Sequence, residues 1–244
     1  MTALDRYVFD CRGWVLFPDV LDAATVASLR AGIEAQGLGR PGPDVAQQRF
    51  GEQGEMLRWC RGVRDLIDHP LALDALRQLV GPAPRLDHAY GIMMRPGTAG
   101  LGLHGPVAPF DPAQFYVHRG GRMWNGMVAM AWALTDGEPG DGGFGCISGS
   151  HRADEPLPAG AERLVTEVPQ RAGSLLVFTE ALFHATVPWR GRGDRIALLY
   201  KYCPASTAYA RSPWAPPDVL ALLTPRQRRL LEPPAVEGRP EVYS

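Results

Sequence analysis

From residue 85 onward the sequence is a succession of short apolar runs separated by glycine, proline and other turn residues. These runs lie at 85–95, 123–134, 164–168, 174–179, 184–189 and 195–202. With a Gly-rich stretch that leads into 146–152, they make roughly eight β segments with no long helix among them, which is typical of an antiparallel sandwich or jelly roll. We therefore expect a mainly β fold of the double-stranded β-helix type (jelly roll, cupin-like), with flanking helices.

The residues before this β core predict a helical layer. Asp22 is a candidate N-cap, and the helix after it shows apolar residues at helical spacing, namely Val26, Leu29 and Ile33. A strand is expected at 13–18 and two short helices at about 61–68 and 70–80. Residues 38–55 are polar and aperiodic, and they form either a loop over the site or a plain surface loop.

These patterns predict one domain for residues 1–244. It divides into a helical N-terminal part at 1–82, a jelly-roll core at 83–204 and a C-terminal extension at 205–244. The extension carries an amphipathic segment, which we expect to pack as one or two helices on the outside of the barrel.

Composition excludes several classes of partner. The formal net charge is −1, so no basic face is expected that would bind a nucleic-acid polymer. No run approaches the ~18 to 20 apolar residues that span a membrane. The four cysteines form no C-x-x-C pair, and the N-terminus does not look like a signal peptide. The sequence predicts a cytoplasmic protein with a small-molecule partner.

Two histidines and an arginine form the candidate catalytic set. His104 stands in Leu-His-Gly-Pro, His184 opens a predicted strand, and Arg195 opens another strand 11 residues later. Each histidine taken alone is more often a structural residue than a ligand. Two imidazoles from facing strands plus a carboxylate, however, form the facial triad of non-heme Fe(II) oxygenases. An arginine can grip a carboxylate through two hydrogen bonds, as 2-oxoglutarate requires.

Four segments carry a resemblance to a known family. They are 13–18 (GWVLFP), 132–136 (WALTD), 142–152 (GGFGCISGSHR) and the run from Gly173 to His184. Together they resemble the phytanoyl-CoA dioxygenase family of Fe(II)/2-oxoglutarate-dependent enzymes. The resemblance implies Fe(II), 2-oxoglutarate and O₂ as cofactors. It also implies that His104 and His184 ligate iron, and that Arg195, Thr186 and Trp132 hold 2-oxoglutarate, while His151 is similar to a family histidine of structural role.

The sequence departs from the family at Pro106. The family motif is histidine, any residue, aspartate, whereas this chain reads His104-Gly105-Pro106, and proline offers no metal-binding side chain. In one interpretation Gly105 and Pro106 leave room for chloride, as in the halogenases of this class, which carry alanine or glycine there. In a second, Asp111 or Glu180 supplies a displaced carboxylate and the enzyme is a hydroxylase. In a third, iron binding is lost and the fold serves as a binding module.

Substrate contacts are expected from the segment between the first histidine and the core strand. Its candidate residues are Tyr116, Arg119, Arg122, Trp124 and Asn125. Its arginines, with His118 and Lys201, suit an anionic group, either nucleotide-like or carboxylate-bearing, and an aromatic ring there could stack on a substrate ring. A solvated hairpin explains the same segment equally well. The sequence thus predicts an Fe(II)/2-oxoglutarate-dependent enzyme that functionalises an aliphatic C–H bond, with halogenation favoured over hydroxylation.

Overall fold

The structure is a computed structural model that describes residues 1–39, 42, 45–106, 111, 113–211, 215–238 and 242–243. The helices in this part of the chain are α1 (Ala3–Arg12), α2 (Ala23–Glu34), α3 (Met56–Trp59), α4 (Arg61–Asp65), α5 (Pro70–Leu79), α6 (Pro217–Ala221) and α7 (Pro225–Leu230). The strands are β1 (Trp14–Phe17), β2 (Gln48–Phe50), β3 (Pro84–Met94), β4 (Leu101–His104), β5 (Tyr116–Arg119), β6 (Arg122–Asn125), β7 (Val128–Ala133), β8 (Gly143–Cys146), β9 (Thr166–Glu167), β10 (Leu175–Thr179), β11 (His184–Val187) and β12 (Arg195–Pro204).

The strands form two antiparallel sheets and a separate hairpin. One sheet has six strands in the order β1-β10-β7-β12-β3-β2, the other has four in the order β4-β11-β8-β9, and β5 pairs with β6. Every pairing is antiparallel. This architecture confirms the expected jelly roll with flanking helices.

The apolar run at 123–134, which predicted one long strand, is divided between two sheets. Its first part is β6 of the hairpin and its second part is β7 of the six-stranded sheet. The break falls at Gly126, whose N–H donates to the carbonyl of Phe115 and whose Cα lies so close to Ala113 that an added Cβ would be 2.7 Å from a backbone atom. Apolar character alone could not locate this break, because both parts are apolar.

The six-stranded sheet separates two cores. Side chains alternate along each strand, so Val128, Met130 and Trp132 join the outer core against the helices, whereas Ala129 and Ala131 join the inner core between the sheets. The inner core also holds Phe144 of β8. The small alanines on β7 leave space inside the barrel, where the bulkier groups of the facing sheet lie.

The N-terminal part supplies two strands, β1 and β2, which form the two edges of the six-stranded sheet. The strand expected at 13–18 is β1, whereas β2 lies in the stretch that was expected to be a loop. The sequence reasoning missed α1, which starts with a capping box of Thr2 and Asp5 and buries Phe9. The predicted cap of α2 is confirmed, because the Asp22 carboxylate accepts the Thr25 N–H at 2.7 Å.

The C-terminal extension packs on the outside of the barrel, as expected. Val219, Leu223 and Leu230 of this segment are buried in the outer core. The buried Gln227 side chain donates to the Arg64 carbonyl at 2.9 Å and fixes α7 against α4. Among the described residues, no helix combines the length and apolar character needed to cross a bilayer.

Candidate active site

His104 and His184 lie directly opposite each other on the neighbouring strands β4 and β11, with ring centroids 4.3 Å apart. The Nδ1 of His104 is 2.8 Å from the Gly102 carbonyl, and that of His184 is 2.7 Å from the Leu182 carbonyl. A carbonyl can only accept a hydrogen bond, so each Nδ1 carries the proton and each Nε2 keeps its lone pair. Both rings are therefore held in the tautomer that a metal ligand needs.

The His184 imidazole is buried beside the rings of Phe144 and Phe178. Burial lowers its pKa to about 4, although the nearby Glu180 carboxylate acts in the opposite direction. The ring is therefore neutral near pH 7, and only a neutral imidazole binds metal.

The wall beside His104 contains no carboxylate. Gly105 packs against Phe183 so closely that an added Cβ would lie 2.7 Å from the ring, and Pro106 follows it with no donor side chain. In the part of the chain that the structure describes, no three His, Cys, Asp or Glu side chains are grouped to hold a metal ion. The two imidazoles are thus the metal donors that these residues offer.

The two candidate displaced carboxylates are engaged elsewhere. Asp111 accepts the N–H groups of Ala113 and Gln114 at 2.8 and 3.1 Å, so its carboxylate closes a turn. The buried Glu180 carboxylate binds the Lys201 ammonium at 2.8 Å. Neither joins the two histidines in a ligand set.

Arg195 opens β12 with its side chain largely buried. Its Nη1 lies 3.8 Å from the Met94 sulfur, and an added Cβ on Gly143 would be 2.9 Å from its Nε. No carboxylate of the described residues pairs with it. Burial lowers its pKa to about 10, so it stays charged near pH 7. A buried cation without a counter-ion is costly, which suits a site that receives an anion.

Thr186 lies two residues after His184 and so on the same face of β11. Its hydroxyl donates to Gln47 Oε1 at 3.0 Å. Gln47 immediately precedes β2, in the stretch for which the sequence left open a loop over the site. Two imidazoles, a hydroxyl and a guanidinium without a carboxylate partner fit a ferrous ion that binds a keto acid whose second carboxylate needs a fixed cation.

The prediction that Trp132 contacts 2-oxoglutarate is wrong. Its side chain is fully buried in the outer core, where it meets the edge of His69 at a centroid distance of 5.0 Å. The neighbouring Ala131 and Ala133 occupy the inward positions of β7. Sequence position located the strand correctly, but the side-chain alternation directs the indole away from the histidines.

The expected substrate residues on the hairpin are only partly placed for that role. Asn125 is a structural anchor, since it is 1% exposed and its Nδ2 donates to the Leu79 carbonyl. Arg122 stacks over the exposed Trp124 at 4.9 Å, and Arg119 is exposed on the same hairpin. Tyr116 hydrogen-bonds Asp10 and shares with Pro106 the lining of a cavity of about 440 Å³.

The sequence reasoning missed a polar and aromatic group on the inner face of β3 and its neighbours. The Arg49 guanidinium of β2 lies 4.4 Å over the Tyr90 ring. His88 stacks on Tyr90 at 5.8 Å and on Tyr209 at 6.0 Å. The signal in the sequence was the alternation of His88 and Tyr90, which places both on one face of β3.

Residues 9–197 match the phytanoyl-CoA dioxygenase (PhyH) family over most of the chain. The chain belongs to the phytanoyl-CoA dioxygenase family. Membership confirms the expected resemblance and places the protein among Fe(II)/2-oxoglutarate-dependent oxidoreductases. A relative in Aspergillus fumigatus, the dioxygenase af480, is 25% identical over 235 residues, which are 90% of this chain and 73% of the relative.

Solved structures of other proteins share the fold. HygX from Streptomyces hygroscopicus, with nickel and 2-oxoglutarate bound, is 24% identical with a TM-score of 0.75, over 90% of this chain and 94% of HygX. HygX has also been seen with hygromycin B bound. SnoK, a non-heme α-ketoglutarate-dependent carbocyclase from nogalamycin biosynthesis, is 20% identical with a TM-score of 0.65, over 92% of both chains.

Proposed function

We propose that this member of the family uses Fe(II), 2-oxoglutarate and O₂ to functionalise an aliphatic C–H bond of a small molecule, and that it does so by chlorination. The observation that carries the proposal is the ligand set at β4 and β11. Two imidazoles face each other there, and Pro106 stands where the family has a carboxylate. The coordination position that aspartate would fill is thereby free for a halide.

The residues of the chain have distinct roles in this proposal. His104 and His184 hold the iron through Nε2, while Arg195 and Thr186 orient 2-oxoglutarate. Gly105 and Pro106 border the halide without competing for the metal, and the rings of Phe144 and Phe178 cover the His184 side of the centre. Iron with its keto acid and O₂ supplies the oxidant that removes hydrogen from an unactivated C–H bond.

Cofactor binding is the first test. Anaerobic addition of Fe(II) and 2-oxoglutarate to the purified protein should give the weak visible charge-transfer band of the chelate. Arg195→Met should weaken 2-oxoglutarate binding by about tenfold or more, since it removes a charge-assisted bidentate contact. Arg119→Met on the exposed hairpin is the matched control. A wild-type protein without the band at saturating concentrations would leave a non-catalytic binding module as the function.

Chloride dependence is the second test. Succinate formation should require chloride, and the product mass should rise by the difference between chlorine and hydrogen. Pro106→Asp should restore a protein oxygen ligand, abolish chlorination and redirect the reaction toward hydroxylation. Turnover that is indifferent to chloride, with an oxygen-bearing product, would refute chlorination and leave the cofactor proposal standing.

Hydroxylation with a displaced carboxylate is the second candidate. It is supported by the similarity to the Aspergillus fumigatus dioxygenase and by the buried Glu180, whose charge acts on His184. In that case Glu180→Gln or Asp111→Ala should abolish Fe(II) binding. Under the chlorination proposal both variants retain it.

A further inference from the structure

The inner face of the barrel holds an ion pair that the roles above do not use. Lys201 Nζ binds Glu180 Oε1 at 2.8 Å, with Lys201 8% and Glu180 4% exposed. A buried ion pair is weak evidence for stability, because desolvation offsets its attraction. Well-packed apolar residues would serve this interior at least as well. The pair therefore calls for a functional explanation.

The Lys201–Glu180 pair lies far along the barrel from Arg195, where 2-oxoglutarate is proposed to bind. Lys201 and Arg195 share the inward face of β12 six residues apart, which is ~20 Å at ~3.3 Å per residue. One 2-oxoglutarate molecule is too short to reach both cations. Burial by itself would raise the pKa of Glu180. Electrostatic interaction with Lys201, and to a smaller extent with His184, outweighs burial and lowers this pKa to about 2. The ion pair therefore lies within electrostatic range of His184.

A second cation, Arg49, lies near the same aromatic ring as Lys201. Tyr90 has Arg49 at 4.4 Å and Lys201 Nζ at 5.9 Å from its ring centroid. Arg49 meets Glu52 at 3.7 Å, but both side chains are about half exposed, and such surface pairs are weak and screened. Arg49 is thus free to exchange this partner for a substrate anion.

An aromatic ladder leads from these cations to the surface. His88 is nearly parallel to Tyr90, at 9°, and lies at 25° to Tyr209, which is 60% exposed. Asp87 fixes the outer end of the ladder by accepting the Tyr209 N–H at 2.9 Å. The exposed face of Tyr209 offers a stacking surface for a planar ring.

We propose that Lys201 and Arg49 bind the oxyanion, a carboxylate or phosphate, of a substrate whose planar ring stacks on Tyr209. Glu180 keeps Lys201 extended and compensates its charge before the substrate arrives. The inference rests on the proposed function, because it places the substrate beside His184. It moves substrate recognition from the hairpin residues Arg119 and Arg122 to the opposite side of the site.

The probe for this proposal is 6-phenylhexyl phosphate, with inorganic phosphate and 6-phenylhexanol as its separate parts. Its alkyl chain is long enough to span the two ring spacings of 5.8 and 6.0 Å that separate Tyr90 from Tyr209. Binding is measured by calorimetry on the Ni(II)-loaded protein with 2-oxoglutarate saturating, so that Arg195 is occupied. Arg49→Gln and the double variant Lys201→Met/Glu180→Gln should each weaken binding of 6-phenylhexyl phosphate roughly tenfold or more, since each removes a charged contact. The double variant avoids leaving Glu180 buried alone. Tyr209→Leu should weaken binding of 6-phenylhexyl phosphate and leave that of inorganic phosphate unchanged.

Arg119→Gln and Arg122→Gln are the controls, and they should bind 6-phenylhexyl phosphate like the wild type. The proposal is overturned if these hairpin variants lose binding while the Arg49 and Lys201 variants keep it. A folded wild-type protein that binds no 6-phenylhexyl phosphate overturns it as well. Each measurement is preceded by a titration with Ni(II) and 2-oxoglutarate, which reports separately on the proposed function. If the protein fails to bind these cofactors, the probe titration is repeated without metal, so that the oxyanion site is still tested.

Discussion

At the scale of single residues, Asp87 shows how one carboxylate can fix a region of this fold. It is fully buried and accepts hydrogen bonds from Arg85 Nη1 at 2.7 Å, from His88 Nδ1 at 2.6 Å and from the N–H groups of Tyr209 and Ala210 at 2.9 Å. It thus joins β3 to the segment that follows β12. The position of Tyr209 depends on it.

Asp87→Asn should lower the free energy of unfolding by about 3–5 kcal/mol, because Arg85 is left buried without its counter-charge. Burial by itself would raise the pKa of Asp87. The hydrogen bonds from His88 and from the backbone N–H groups at 209 and 210 outweigh burial, and the pKa falls from 3.8 to about 2. Its stabilisation is therefore present above pH 4 and lost as the pH falls toward 2. Urea unfolding between pH 2 and 6 should show this loss in the wild type and a flatter profile in the variant.

Trp132 is the residue whose role the structure reassigns. Trp132→Ala should cost about 3–5 kcal/mol of stability, since it empties a large volume in the outer core. The Trp132→Ala variant should bind 2-oxoglutarate with the affinity of the wild type. Thr186→Val should lose affinity for 2-oxoglutarate with little change in stability. Chemical unfolding and calorimetric titration of the two variants provide the comparison, and a selective loss of 2-oxoglutarate binding in Trp132→Ala would contradict the assignment.

At the scale of elements, the pairing of β4 with β11 determines whether the two imidazoles meet. Gly100 precedes β4 with φ +75°, and an added Cβ would be 1.9 Å from the Thr186 carbonyl oxygen. This close approach holds the start of β4 against β11. The geometry of His104 relative to His184 follows from it.

Gly100→Ala should push β4 away from β11 and weaken Ni(II) binding by roughly 10- to 100-fold, the range seen when supports of metal ligands are lost. Gly97→Ala is its matched control, because Gly97 also has positive φ, +91°, but has open space around its Cα. Both variants should lose about 1 kcal/mol or more of stability to backbone strain. Equal Ni(II) affinities in the two variants would show that the β4–β11 contact does not position His104.

At the scale of the whole molecule, the site draws on both sheets. His104, His184 and Thr186 come from the four-stranded sheet, and Arg195 comes from the six-stranded sheet. A metal with its keto acid would therefore join the two layers. Binding of this kind stabilises the folded state alone.

Ni(II) with 2-oxoglutarate at about 100 times its Kd should raise the free energy of unfolding by about 2.7 kcal/mol. Arg195→Met should keep the gain from Ni(II) alone and lose the further gain from 2-oxoglutarate. Thermal unfolding with each ligand separately and with both distinguishes the two contributions. If 2-oxoglutarate stabilises Arg195→Met as much as it stabilises the wild type, the keto acid is held by other residues.

The sequence by itself determined the jelly roll and the residues of the candidate metal site. Short apolar runs between turn residues can be buried only by pairing as strands, and the candidate residues stand at the edges of such runs: His184 and Arg195 open β11 and β12, Thr186 follows His184 on β11, and His104 ends β4. The unusual Pro106 is likewise a fact of sequence.

Only the tertiary structure decided which face of each strand looks into the barrel and which distant side chains meet there. A side chain changes face with each residue along a strand, so Trp132 fell outside the site. The pairing of β2 with β3 brought in Arg49 from a stretch with no recognisable pattern. Lys201, Glu180 and Tyr90 are also separated in the chain and become neighbours only through the closure of the barrel, which local sequence does not encode.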